Sequence, residues 1–349
     1  MRRVTAAAMI GAAVLLAGCS SSASTTTSSG ATANSTASSG GGAPVTVRLG
    51  FLTNITHASA LVGLKEGFFS KALGSAGTLK PTAFSTGTQE TTALLAGQLD
   101  AAYVGPNPAI NAWQKSSGSA IKIISGAATG GASVVVAKGI TSAAGLKGKS
   151  IATPSLGNTQ DVALRYWLKQ NGVTTTTTGG GDAFIKPTTP NSAAVLEFKS
   201  GQVAGGSEPA PYDIEMVQDG GTVLLSEPGV TTLLVVAQTF LAAHPAIVAD
   251  LVKAQVQAND FIKSNPTAAQ ADANAELGSY TGKPLKASLV AAAFKEITFT
   301  DDPDASSLAT DASQAESLGL LKPVNLSGIF DLGPLNTALA AAGESQVSS

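Results

Sequence analysis

From Val45 onward, the sequence alternates short runs of β-branched and other apolar residues with longer segments that have helical periodicity. Val45 to Leu52 and Leu79 to Phe84 have the composition of strands, whereas Ala58 to Phe69 and the segment beginning near Gln89 have that of helices. Repeated strand–helix units are typical of a sheet whose strands run mostly parallel, with helices on its faces. The chain therefore predicts an α/β fold.

A second series of strand and helix segments begins after Gly139, and the chain beyond Phe240 has helical patterns throughout. We expect two doubly wound α/β domains with a cleft between them, the second inserted into the first, and extra C-terminal helices. The expected bounds are 45–138 for the first part of lobe I, 139–236 for lobe II, and 237–349 for the return to lobe I. We expect the lobes to close by a hinge near Lys138-Gly139 and near Val235 to Gln238. A cleft of this kind is a usual place for a small ligand.

The N-terminal segment has the features of a secretion signal. Arg2 and Arg3 precede an apolar run, Thr5 to Ala17, which is too short to span a bilayer. Leu16-Ala17-Gly18-Cys19 resembles the lipobox of bacterial lipoproteins, in which the cysteine is lipidated. We therefore expect a signal peptide at 1–18, a lipidated Cys19, and a flexible Ser/Thr/Gly-rich tether at 19–44 that holds the protein outside the cell membrane. The alternative is an ordinary signal peptide in which Cys19 is incidental.

Composition excludes several classes of protein. Cys19 is the single cysteine among 349 residues, so a processed chain has no disulfide, cysteine metal site or cysteine nucleophile in its body. The two histidines are too few for a metal cluster, and we expect neither a metal nor a cofactor. The net charge of -2, without a basic patch, argues against nucleic acid.

Four small, polar or glycine-rich loops follow predicted strands and lead into predicted helices. Ligands of open α/β sheets bind beyond the carboxyl ends of the strands, and helix N-termini favour anions or polar acceptors. For any one loop, a simple helix cap is the competing interpretation. The candidate ligand-binding residues in these loops are Asn54, His57, Thr86, Gly87, Asn107, Ser155, Asn158 and Thr159.

The segment Gly206 to Tyr212 offers a carboxylate where the other loops offer donors. Glu208 is expected either to accept hydrogen bonds from an amine of the ligand or to cap a helix that Pro209 opens. Tyr212 would then supply a stacking face or a hydroxyl donor. A ligand with an anionic group at one end and an amine or N–H at the other fits a cleft with donors at one end and Glu208 at the other.

Four segments carry a resemblance to a known family. The segments are Leu61 to Phe69, Ala93 to Asp100, Gly145 to Lys149 and Phe240 to Pro245. In the same order, they are similar to the patterns A-x-x-x-G-x-F, AL-x-x-G-x-x-D, DLKGK and F-x-x-x-H/N-P. Together they resemble the aliphatic sulfonate, taurine and nitrate binding proteins of ABC importers. The resemblance implies a two-lobed type II periplasmic-binding-protein fold. By position, the candidates that match the family's cleft loops are Asn54, Thr86, Gly87, Asn107, Ser155, Asn158, Thr159 and Glu208.

The resemblance further implies a monomeric, non-enzymatic subunit that captures a small organic anion, an aliphatic sulfonate or a taurine-like compound, and delivers it to an ABC permease and its ATPase. One departure stands against a simple sulfonate site: Gly205-Gly206-Ser207 replaces the family's DAW, so a stacking tryptophan is missing. The alternatives are a binding protein for nitrate, bicarbonate or a thiamine-type pyrimidine, a pyrimidine-forming enzyme of the same fold, and a lipoprotein that senses or scaffolds without transport.

Overall fold

The computed structural model describes residues 43–349. The expected signal peptide, the lipidation site Cys19 and all but the last two residues of the expected tether lie outside the described residues. None of the helices within 43–349 combines the length and the apolar character that crossing a membrane requires.

The described chain forms eleven strands, which are numbered in chain order: β1 Val45–Leu52, β2 Gly77–Phe84, β3 Ala101–Val104, β4 Ile121–Gly130, β5 Ala132–Val136, β6 Ser150–Thr153, β7 Phe184–Pro187, β8 Gly205–Pro209, β9 Thr222–Ser226, β10 Val230–Ala237 and β11 Ile297–Phe299.

Thirteen α-helices connect or follow these strands in the described residues: α1 Ala58–Lys65, α2 Phe68–Leu73, α3 Gly87–Leu95, α4 Pro106–Lys115, α5 Thr159–Gln170, α6 Asn191–Lys199, α7 Tyr212–Gln218, α8 Gln238–Ala243, α9 Pro245–Ser264, α10 Pro266–Thr281, α11 Ala287–Glu296, α12 Ala305–Ser317 and α13 Gly333–Ala342. Single turns of 3₁₀-helix occur at Ile55–His57 and Ala143–Leu146.

The first sheet, which defines lobe I, has the strand order β11-β4-β10-β3-β1-β2. Strand β1 pairs in parallel with β2 and β3, whereas β10 runs antiparallel to both β3 and β4. Every residue of β10 is buried, as its run of threonines and aliphatic residues predicts for a central strand covered on both faces.

The second sheet, which defines lobe II, has the order β7-β6-β8-β5-β9. Strands β7, β6 and β8 are parallel neighbours, and β5 runs antiparallel to β8 and β9. Separate apolar clusters cover the two faces of this sheet, one around Leu164 and Leu168 and the other around Phe198 and Met216. Both lobes are α/β as expected, but each sheet is mixed where we expected mostly parallel strands.

The chain changes sheet earlier than the expected lobe bounds. Strand β5 already pairs in the second sheet, so the first crossing lies at Gly130-Gly131 and not near Lys138-Gly139. Strand β10 pairs in the first sheet from Val230, so the second crossing lies at 227–229 and not near 235–238. Apolar composition predicts both strands but carries no information on which sheet each one joins.

The C-terminal part returns to lobe I, and helices α9 and α10 pack against α1 and α2. The expectation that this part is entirely helical was wrong at one place, because β11 adds an edge strand antiparallel to β4. Helix α12 packs against α4 of lobe I and α5 of lobe II, so it contacts both lobes.

Candidate functional site

A small cavity of about 30 Å³ lies between the two lobes, where strand ends of both sheets meet. This volume exceeds the roughly 10–15 Å³ that one water molecule needs, so the cavity accommodates a group of a few heavy atoms. Lobe I contributes residues at or just after the ends of β1, β2 and β3, and lobe II contributes residues at or just after the ends of β6, β7 and β8. The polar lining residues are Asn54, Thr56, His57, Ser85, Thr86, Asn158, Thr159, Gln160, Asn191 and Thr231.

Four helices begin at this cavity: α3, α4, α5 and α6. The first N–H groups of a helix have no partner within the helix, and the helix dipole makes this end positive. Thr86 caps α3 by accepting from the Gln89 N–H at 3.3 Å, and Asn158 caps α5 by accepting from the Asp161 N–H at 3.0 Å. Pro106 and Pro108 have no N–H group, so α3, α5 and α6 supply most of the free N–H donors, and the dipoles of all four helices add to them. This arrangement favours an anion or a strong hydrogen-bond acceptor.

His57 is a neutral donor in the cavity wall. Its ring is almost fully buried, and Nδ1 accepts a hydrogen bond from the Leu52 N–H at 3.2 Å. Burial lowers the pKa of His57 to about 3, so the imidazole is uncharged at neutral pH. Because Nδ1 is an acceptor, the single ring proton is on Nε2, which is therefore a hydrogen-bond donor.

Neighbouring side chains fix the amide groups of the site. The Asn54 Oδ1 accepts a hydrogen bond from Thr56 Oγ1 at 2.7 Å, which leaves the Asn54 amide nitrogen as a donor. On the other side, Asn158 Nδ2 donates to Gln160 Oε1 at 2.8 Å. These short-range bonds hold the polar wall in one arrangement in advance of a ligand.

The residues that line the cavity include no Asp, Glu, Lys or Arg. Both arginines of the described chain are paired elsewhere: Arg48 with Asp100 at 2.5 Å, and Arg165 with the buried Asp161 at 2.9 Å. Asp161 also accepts from the Gly157 N–H and from Thr153 Oγ1, so this ion pair fixes the loop before α5. Any anion in the cavity is thus held by hydrogen bonds and helix dipoles alone.

Six of the predicted site residues line the cavity: Asn54, His57, Thr86, Gly87, Asn158 and Thr159. Three others lie nearby without lining it. Ser155 contacts Thr88 across the lobes at 3.3 Å between hydroxyl oxygens. The Tyr212 hydroxyl donates to the Thr53 carbonyl at 3.0 Å, and burial, with smaller contributions from nearby carboxylates, raises the pKa of Tyr212 to about 12. Asn107 is buried against α12, where it donates to the Asp311 carbonyl at 3.3 Å.

Glu208 is neither a cavity residue nor a helix cap in this structure. It lies inside β8, opposite Ser133 in the sheet, and its side chain is fully buried. Residues two apart in a strand lie on the same face of the sheet, so Glu208 lies on the same face as Gly206. Met216 of α7 packs against this face. Pro209 ends the strand, and the helix begins at Tyr212, so the expected cleft-facing carboxylate is replaced by a buried one.

Five polar lining residues were not among the sequence candidates: Thr56, Ser85, Gln160, Asn191 and Thr231. The first three are chain neighbours of candidates, whereas the last two come from other segments. Asn191 is the first residue of α6, and its buried Oδ1 has no partner in the described structure. It follows β7, so the same strand-end argument that found Thr86 and Asn158 was applicable to it. Thr231 comes from the start of β10, beside the crossing, and carries no comparable signal.

The lobes make direct contact around the cavity. Besides the Thr88–Ser155 contact, the Ile55 N–H donates to the Ala210 carbonyl at 3.0 Å, which joins the loop after β1 to the segment after β8. These contacts correspond to a closed arrangement of the lobes, with the polar cavity between them.

The two sheets and the cavity between them correspond to the two-lobed type II periplasmic-binding-protein fold. The chain belongs to the NMT1-like family, whose sequence model matches residues 40–277. None of the curated protein sequences matches it. Within residues 43–349, no group of three His, Cys, Asp or Glu side chains is placed to hold a metal ion.

Three solved structures illustrate the likeness. The alkanesulfonate-binding protein SsuA from Xanthomonas axonopodis pv. citri, bound to MOPS, is 17% identical, with 84% of this chain and 100% of that chain covered and a TM-score of 0.70. The nitrate-binding protein NrtA from Synechocystis is 15% identical, with 85% and 89% covered and a TM-score of 0.72. A ligand-binding component of an ABC-type import system from Staphylococcus aureus, with zinc bound, is 15% identical, with 84% and 99% covered and a TM-score of 0.69.

Proposed function

We propose that this protein is the extracytoplasmic solute-binding subunit of an ABC importer and that it captures a small anion, or the anionic head of an organic anion. The observation that carries this proposal is the convergence of four helix N-termini on a polar cavity without charged side chains. In such a site, N–H and hydroxyl donors stabilise the charge of the bound anion. They make the site selective, because the ligand must place an acceptor atom opposite each donor.

An organic sulfonate is the first candidate ligand. A sulfonate offers three acceptor oxygens, which suits the surrounding donors Thr86, Asn158 and His57. The relative that binds MOPS, itself a sulfonate, supports this class. The preference for a taurine-like amine loses its structural reason, because Glu208 does not line the cavity.

Nitrate is the second candidate, and one observation favours it. The closed cavity of about 30 Å³ suits a four-atom anion better than a long organosulfonate. The nitrate-binding relative has the same fold.

The test is isothermal titration calorimetry of the purified protein with methanesulfonate, ethanesulfonate, MOPS, taurine, nitrate, bicarbonate and thiamine. Wild type is compared with Thr86→Val, which removes a donor and the α3 cap, and with Thr86→Ser, which keeps both. We expect one anion class to bind wild type and Thr86→Ser but to lose roughly tenfold or more in affinity with Thr86→Val. Recovery of the ligand chemically unchanged distinguishes a binding protein from an enzyme.

Delivery implies an ABC permease with its ATPase as partners, and attachment through Cys19 keeps the monomeric protein close to them. Cell fractionation of wild type and Cys19→Ala tests the attachment. We expect the variant to leave the membrane fraction, and equal membrane retention of both proteins contradicts a lipid anchor.

A further inference from the structure

A second cavity, which we call the outer cavity, lies beside the second crossing and has a volume of about 410 Å³. The cavity of about 30 Å³ described above is from here on called the inner cavity. Three segments form it: α5 of lobe II, residues 225–231 around the crossing, and α12. Its volume lies within the range of about 300–1,000 Å³ that is usual for small-molecule sites. Thr159 and Thr231 line both cavities, so they form part of the wall between them.

The outer cavity is lined mainly by apolar surface. Tyr166 and Trp167, both half-buried, contribute aromatic side chains from α5, and Leu225 and Val230 flank the crossing. Aromatic side chains of this kind bind flat apolar groups and cations placed over the ring.

Two carboxyl groups complete the wall, and the lining residues include no Lys, Arg or His. Glu227 is only 8% exposed; its Oε1 accepts from Ser207 Oγ at 2.7 Å, while Oε2 has no partner in the described structure. Asp311 Oδ2 likewise has no partner there. Buried polar atoms are nearly always paired, so two orphaned oxygens at one cavity indicate a missing donor.

The groups around these carboxyls add negative charge and no positive charge. Glu227 is close enough to Asp213 and Asp311 to be affected by their charges, and Asp311 is affected by Asp304. Burial, as the largest cause, raises the pKa of Glu227 to about 8 and that of Asp311 to about 7. On their own, both carboxyls are therefore protonated to a large extent near pH 7, and a cation placed beside them would lower both pKa values and favour the charged carboxylates.

We propose that the outer cavity binds an organic ammonium compound whose cationic group pairs with Glu227 and Asp311 and whose apolar body lies against Tyr166 and Trp167. This site is distinct from the inner cavity and does not depend on the function proposed above. Its ligand has the opposite charge from the one proposed for the inner site.

The test is titration calorimetry of the full chain with three compounds of matched shape: 2-phenylethylammonium, 2-phenylethanol and 3-phenylpropionate. We expect the ammonium compound to bind at least about tenfold more tightly than the alcohol, as a charge-assisted hydrogen bond provides, and the anion to bind least. No binding of the ammonium compound, or equal binding of all three, overturns the proposal.

Variants locate the site. Asp311→Asn and Glu227→Gln are each expected to remove the preference for ammonium over alcohol, while Asp272→Asn on α10 serves as the control that keeps it. If Glu227→Gln does not fold, Asp311→Asn still tests the proposal, because Asp311 is only half-buried. Thr86→Val is expected to leave ammonium binding unchanged, and loss of that binding places the compound in the inner cavity and contradicts the proposal.

Fluorescence gives a second readout. The chain has two tryptophans, and Trp113 lies in lobe I, where its indole N–H donates to the Asn325 carbonyl at 2.8 Å. In Trp113→Phe, emission therefore reports Trp167 alone. We expect 2-phenylethylammonium to change this emission with the same affinity as in calorimetry, and an unchanged signal at saturation contradicts contact with Trp167.

Discussion

Thr159 Oγ1 lies 2.7 Å from the position that a Cβ atom on Gly105 would occupy. Gly105 precedes α4 in lobe I, and Thr159 begins α5 in lobe II, so the two lobes come into close contact at a position without a side chain. Gly105 has a φ of -67°, which any residue adopts, so the contact and not the backbone conformation requires glycine here.

Gly105→Ala is therefore expected to hinder closure without straining the backbone. Overpacking typically costs about 1–3 kcal/mol, so we expect ligand affinity to fall roughly tenfold while the open protein remains folded. Calorimetry measures the affinity, and small-angle scattering measures whether ligand still reduces the radius of gyration. Gly333→Ala, at an uncrowded helix start, is the matched control. Unchanged affinity in Gly105→Ala means that the lobes do not close onto this contact.

A disulfide across the mouth of the cleft is expected to hold the closed state. The hydroxyl oxygens of Thr88 and Ser155 are 3.3 Å apart, so cysteines at both positions are close enough to pair after a small adjustment. In a Cys19→Ser background, the oxidised Thr88→Cys, Ser155→Cys protein should neither take up nor release ligand, and a reductant should restore exchange. Equal exchange rates in both redox states contradict entry through this mouth.

Glu208→Gln is expected to leave ligand affinity unchanged. The Glu208 side chain is buried between β8 and α7 and does not line the inner cavity. Calorimetry with taurine and ethanesulfonate is the measurement, since only taurine carries an amine. A selective loss of about 1.5–3 kcal/mol for taurine means that Glu208 reaches the ligand after all.

Glu90 is expected to make stability depend on pH. It is fully buried in α3 against Gly50 and Leu99, and burial raises its pKa well above 4.5. A raised pKa in the folded state gives stability that is fully present below the unfolded pKa and is lost as the pH rises through the folded value. Urea unfolding from pH 4.5 to 9 should show that the free energy of unfolding falls with pH in wild type and falls less in Glu90→Gln. The control variant Glu66→Gln should show the same dependence on pH as wild type. Identical pH profiles in wild type and Glu90→Gln contradict the assignment.

The strand-end argument predicted much of the inner cavity because it depends on local sequence. Thr86 and Asn158 each follow a strand and cap a helix, and both features are visible in the chain. The position of Glu208 was not predictable in this way, since it depends on how far β8 extends before Pro209 ends it. Whether the cavity residues contact a ligand stays a prediction.

The crossings were misplaced for a different reason. Strands β4 and β5 are separated by Gly131 alone, so they look like one apolar region interrupted by a turn. Which sheet a strand joins is decided by long-range pairing, which the composition of the strand does not encode. The outer cavity was not predictable from local sequence, because its three walls come from segments that are far apart in the chain.

The most direct test of the central claim, that uncharged donors and helix N-termini bind an anion between the lobes, is a comparison of methanesulfonate with methanesulfonamide. The two have nearly the same shape, but the amide replaces one acceptor oxygen and removes the charge. Calorimetry at pH 7 should show binding of the anion and at least about a hundredfold weaker binding of the amide, because both a charge and an acceptor are lost. Equal affinity for the two compounds, or no binding of methanesulfonate, nitrate and longer alkanesulfonates alike, contradicts the account.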